Sequence, residues 1–180
     1  MALPIYITST PEDHRVARLA ALAIGLSIID AAIPSPLPGV KPGLANIVTL
    51  LVLYSHGWRD AAWVSVLRVT AGSLVAGTFL SPTFALSFAG AIASLAALFM
   101  AMKLPRQQFG PLGLSVIGAF AHTGGQLAVA YLWLIPHVGL AYLMPILFGA
   151  ALVFGTVNGI IVARLLPAHL RPAVVLTPLA

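Results

Sequence analysis

Apolar residues run along this chain in long stretches, broken by short clusters of proline, glycine and charge. Six stretches fall at about 16–33, 43–57, 60–80, 83–102, 111–134 and 138–165. A hydrocarbon core of ~30 Å needs ~20 helical residues to cross it, so six transmembrane helices are expected. The second stretch is short and is flanked by glycine and proline, which calls for a tilt or for help from the loop before it. Ser81-Pro82 predicts a tight hairpin between the third and fourth stretches. Lys103, Pro105, Arg106, Gln107 and Gln108 separate the fourth and fifth, and Pro136 the last two. Pro145 is expected to kink the sixth helix. The fold class is all-α: a polytopic membrane bundle forming one domain over 16–165, with tails at 1–15 and 166–180.

Composition supports a lipid setting. Hydrophobic residues make up 60% and charged residues 7% of the chain, and mean hydropathy is +1.03. Soluble domains carry about 25% charged residues, and a soluble chain of 180 residues would leave large apolar patches in water. The net charge of +5 comes from only nine Lys and Arg with no basic face, which argues against nucleic acid. Cysteine is absent, so disulfides and thiolate metal sites are excluded. Residues 1–15 lack a positive n-region and carry Glu12-Asp13, so no cleaved signal peptide is expected.

Orientation follows from the basic residues. With six spans, Arg15, Arg18, Arg59, Lys103, Arg106, Arg164 and Arg171 share one side and Lys41 stands opposite. The positive-inside rule then puts both termini in the cytoplasm.

Polar groups inside lipid are costly and mark candidate sites. Here they are Asp30, Lys41, Asn46, Arg68, His122, Gln126 and Asn158. The run Pro34-Ser35-Pro36-Leu37-Pro38-Gly39-Val40-Lys41-Pro42-Gly43 cannot be regular helix. It is either an outside loop with a lysine among headgroups or a shaped loop presenting Lys41 to a ligand. Arg68 lies ~12 Å into the third stretch. It either pairs with Asp30 and ties two helices, or joins Lys41 in meeting an anion. His122 lies ~17 Å along the fifth, and Gln126 shares its face one turn on. These two either link helices or line a cavity. Asn46 and Gln126 would supply directional hydrogen bonds. Ala17, Ala21 and Gly25 form a small-residue stripe on which another helix can dock, although such stripes also arise by chance in Ala-rich helices.

Several chemistries are missing. No G-x-x-x-x-G-K-[ST] phosphate loop occurs, so energy for transport would come from a gradient or a partner. No acidic pair in the spans suits Mg²⁺ on a diphosphate, and no ligand set suits a metal. Ser115 and His122 stand ~10 Å apart along one helix, too far for a protease dyad. Neither catalytic residues nor cofactors are expected.

The segment Leu37-Pro38-Gly39-Val40-Lys41-Pro42-Gly43-Leu44-Ala45-Asn46-Ile47-Val48-Thr49-Leu50 resembles the signature of the Gx transporter family, also labelled heptaprenyl diphosphate synthase component I. Leu67-Arg68, Gly77-Thr78-Phe79-Leu80-Ser81-Pro82 and Ala119-Phe120-Ala121-His122 with Gly125-Gln126 extend the resemblance over about 16–165. Thr123 departs from the asparagine expected there. The family is similar to the substrate-binding S components of energy-coupling-factor transporters. That implies six helices, an outward-opening pocket for a small molecule, no ATPase of its own, and a partner docked on the first helix. The synthase label implies a noncatalytic membrane subunit of isoprenoid synthesis. A structural subunit of a membrane redox complex would fit the same polar residues as helix ties.

Overall fold

A computed structural model describes residues 9–33, 43–103 and 110–170. The described chain is helical: α1 (Pro11–Ala32), α2 (Leu44–His56), α3 (Trp58–Val75), α4 (Pro82–Ala101), α5 (Pro111–Val129) and α6 (Met144–Leu165). A π-helical turn over Ala130–Leu134 extends α5, a 3-10 stretch over Val138–Leu143 leads into α6, and a short turn over Ala168–Leu170 follows.

Local chemistry sets the ends. Thr10 caps α1: its hydroxyl oxygen accepts the Asp13 N–H, and the Asp13 carboxylate accepts the Thr10 N–H, a reciprocal capping box. This starts α1 at Pro11, within the stretch expected to be tail. Proline stands in the first turn of α1, α4, α5 and α6, where its missing N–H costs nothing. Pro145 therefore begins α6 instead of kinking it, because the preceding six residues form the tighter 3-10 turn. One residue, Gly57, separates α2 from α3 at φ 91°, a conformation side chains rarely allow. α3 stops at Val75, short of the expected 80, and the turn to α4 carries Leu80 at φ 61°.

Successive helices run antiparallel. Trp58 at the start of α3 meets Phe99 near the end of α4, with ring centroids 5.1 Å apart. Phe120 of α5 meets Phe148 of α6 at 5.3 Å. One end of the bundle, here the basal end, thus holds the start of α1 and the ends of α2, α4 and α6. Arg15, Arg18, Arg59, Lys103 and Arg164 lie towards it. There Arg15 donates to Asp60 Oδ2 at 2.7 Å and 3.2 Å, tying α1 to α3.

α2 is the core helix. Ala45, Ile47, Val48, Thr49, Leu50, Val52 and Leu53 are all buried, the mark of a helix apolar all round. Its thirteen residues reach about 20 Å at 1.5 Å each. The twenty-two of α6 reach about 33 Å. The main core joins α2 to Ala23, Ala61, Val64, Leu98, Ala101, Leu114, Val162 and Leu166, and all of these but Ala23 lie towards the basal end.

The α4–α5–α6 half is packed through glycine. A Cβ at Gly125 would stand 2.6 Å from Ala93 Cβ and 2.7 Å from the Ala89 carbonyl oxygen. One at Gly159 would stand 2.6 Å from Leu112 Cα. Gly155 and Gly159 form a G-x-x-x-G step, which brings helix backbones together in lipid.

α4, the segment Pro111–Leu134 and the segment Val138–Leu165 are long and apolar enough to cross a membrane. These three spans mark a membrane-associated protein. α1 and α3 carry Arg15, Arg18 and Asp30, and Arg59, Asp60 and Arg68, while α2 is shorter. Outward residues are apolar, among them Leu132, Val138 and Tyr142, each more than two-thirds exposed. The expectation of six spans exceeds the three that length and composition mark.

Two predictions follow from this packing. Gly159→Ala should lower stability by about 1–3 kcal/mol through overpacking, read by denaturation in mild detergent. Gly124→Ala, where a Cβ meets nothing within 4 Å, should not. The backbone N–H of Thr10, and then its hydroxyl, hold the Asp13 carboxyl below its ordinary 3.8. The capping contribution is therefore full above 3.8 and lost as pH falls through the lower folded value. Amide protection factors in the first turn of α1 should fall on that descent, and Asp13→Asn should remove the dependence.

Candidate functional site

The α2 N-terminus lies inside the bundle, where exposed backbone groups need partners. Gly43, at φ 72°, holds the entry to α2. Its N–H donates to Asp30 Oδ2 of α1 at 2.9 Å. Its carbonyl accepts from Asn158 Nδ2 of α6 at 3.3 Å and from the Asn46 N–H at 2.9 Å. Asp30 and Asn158 are both buried. Three helices are thus tied at one residue.

Arg68 stands ten residues into α3, about 15 Å from its start. The residue is half-buried, yet its Nε is fully buried with no hydrogen-bond partner among the described residues. Asp30 lies within Coulombic range, but no Asp30–Arg68 contact within 4 Å occurs among the described residues. Arg68 also lies within Coulombic range of His122.

His122 sits at the same depth on α5, about 17 Å from its start. Its ring lies face-on against Gly90 of α4. A Cβ there would stand 2.8 Å from Cε1, 2.8 Å from Nε2 and 2.9 Å from Nδ1. Glycine makes the slot that admits the ring. Gln126, one turn further on, is half-buried, as is Asn46 in the first turn of α2.

The structure therefore gathers Asp30, Arg68 and His122 in one cluster, with Asn46 near the Asp30 end through Gly43. Lys41 lies outside the described residues, as do Pro34 to Pro42 of the signature loop. Ala17, Ala21 and Gly25 are exposed on the outward face of α1. With His14 and Arg18, Ala17 and Ala21 line a shallow groove of about 620 Å³. Among the described residues no group of His, Asp or Glu gathers as metal ligands.

Two positions that shape the cluster escaped the sequence reading. Gly90 is an interior glycine of an apolar helix, and nothing local separates it from a packing glycine. Gly43 closes the proline-rich loop, and its place there is the signal. Its partner Asn158 stood among the intramembrane polar residues, but spacing could not reveal a contact 115 positions away.

These features define an all-helical, membrane-associated bundle with a charged cluster in its interior. The chain belongs to the family described as heptaprenyl diphosphate synthase component I, whose model matches residues 19–165. No curated protein and no solved structure matches the chain.

The ring slot is testable. Gly90→Ala should push the His122 imidazole off α4 and cost about 1–3 kcal/mol. Imidazole proton chemical shifts in detergent should move in this variant and stay unchanged in Gly25→Ala, where a Cβ meets nothing within 4 Å.

Proposed function

We propose that this chain is a membrane subunit that binds a small anionic molecule beside Arg68 and hydrolyses no nucleotide itself. The buried, unpartnered Nε of Arg68 carries the reading. A guanidinium donor in a low-dielectric interior is costly unless it is paired, and an anion would complete it with a charge-assisted hydrogen bond. The N-terminal dipole of α2, which favours negative charge, supports the location.

In this reading Asn46, His122 and Gln126 line the pocket, and Lys41 adds a second cation from the loop above. All six helices cross a bacterial inner membrane, and the basal end with its arginines faces the cytoplasm. The pocket then opens outward. The exposed Ala17/Ala21/Gly25 face of α1 receives a partner helix, from an ATPase-bearing or other membrane subunit.

The family description favours a second reading. As component I of a heptaprenyl diphosphate synthase, the chain would be a noncatalytic membrane subunit, and the bound anion would be the diphosphate of a prenyl chain. Four acidic residues in the whole sequence suit that better than catalysis, because diphosphate chemistry needs carboxylate-held Mg²⁺.

Losing a charge-assisted hydrogen bond costs about 1.5–3 kcal/mol, so Arg68→Gln should weaken anion binding roughly 10- to 150-fold. Titration of the purified protein with small anions and with prenyl diphosphates separates the two readings. Equal affinity in wild type and Arg68→Gln for every anion tried would remove the site. Preference for prenyl diphosphates, with copurification of a soluble synthase, favours the second.

A further inference from the structure

We propose that His122 takes up one proton when an anion binds beside Arg68, so that anion and proton binding are linked. The proposal rests on the anion reading above and adds to it the way the site balances its charge.

The argument is one of neutrality in a low dielectric. The described interior holds Arg68 with the Asp30 carboxylate in Coulombic range, and these two charges compensate each other. A dianion such as sulfate brings two negative charges, of which Lys41, the second cation of the reading above, balances one. At membrane depth uncompensated charge costs several kcal/mol or more. A proton from solvent, bonding to a ring nitrogen already in the cluster, restores the balance.

Imidazole is the side chain that changes charge near neutral pH. His122 meets the geometric conditions. It shares the depth of Arg68, and its ring lies flat on Gly90, all three ring contacts falling within 2.8–2.9 Å of a Cβ placed there. The Gly90 backbone engages one ring nitrogen, which leaves the other at the ring edge to take the proton. Without an anion, Arg68 repels a second positive charge. With one, that field is cancelled and the imidazolium becomes a donor to the anion.

The surroundings support this assignment. α3 contributes Arg68 and α1 contributes Asp30. α4 carries no titratable side chain between Pro82 and Ala101. The titratable groups of α2 and α6, namely Tyr54, His56 and Arg164, lie towards the basal ends of those helices. On α5 itself the neighbouring polar group is the uncharged Gln126.

The test uses the full chain in lipid nanodiscs and sulfate, an anion that does not itself titrate between pH 5.5 and 8.5. Calorimetry in buffers of different ionisation enthalpy counts the protons taken up. We expect wild-type affinity to rise as pH falls, by up to ~10-fold per unit, with uptake approaching one proton. His122→Asn should bind with a flat pH profile near the weak, high-pH affinity. Should that variant fail to fold, the wild-type proton count decides. Sulfate binding without proton uptake overturns the linkage and leaves the anion site standing. A slope that persists in His122→Asn and vanishes in Asp30→Asn overturns the assignment to histidine. Failure of sulfate to bind at any pH overturns the anion reading, and the linkage with it.

Discussion

Gly43 interrupts regular helix inside an apolar bundle, and a backbone break in such a place must find hydrogen-bond partners other than water. Asp30 supplies one from α1, Asn158 another from α6, and Asn46 a third from α2 itself. Holding those donors and acceptors in reach fixes where α1 and α6 stand around α2. The ends of a short helix are then determined: α2 starts within the bundle and reaches its basal end through a largely buried surface. Arg68 takes its position from the same arrangement, since α1 bears both the carboxylate that caps Gly43 and the Arg15 that grips Asp60 at the base of α3.

The two halves of the bundle are held by different forces. In α4–α6 the contacts are made by backbone and small side chains, with glycines where any Cβ would collide. Dispersion between close-packed helices does that work in lipid, where apolar burial gives no advantage. In α1–α3 the ties are charged and polar: Arg15 to Asp60, Asp30 to Gly43. The cluster lies where these halves meet, His122 on the glycine-packed side and Arg68 on the other. Relative movement of the halves would change the distance between Arg68 and His122, the two groups proposed to hold an anion together.

Much of this was legible in the chain. Hydrophobic run length marked each of the six helices, because a long apolar stretch satisfies its backbone groups internally as helix. Arg68 and His122 stood out because charge and imidazole are rare in such stretches. The ends were less legible. Pro145 reads as a kink only when the helix is assumed to begin before it, and the 3-10 turn over Val138–Leu143 removes that assumption. Val75 ends α3 although apolar residues continue to Leu80, since hydropathy does not register a turn made of apolar residues. Contacts between distant residues, such as Asn158 with Gly43 or the Gly90 slot for His122, depend on rotation and depth of helices, which no local pattern encodes.

The shortness of α2 bears on how the protein is made. α4 and the two segments that follow can each partition into a bilayer as they leave the ribosome, being long and apolar enough alone. α1 and α3 carry ionised groups, and α2 spans about 20 Å, less than the hydrocarbon thickness. None of these three is a good independent passenger for the insertion machinery. In the six-span reading proposed above, their entry into lipid is collective, α2 sheltered between its neighbours and the charges paired before release, with the three self-sufficient helices completing the enclosure afterwards.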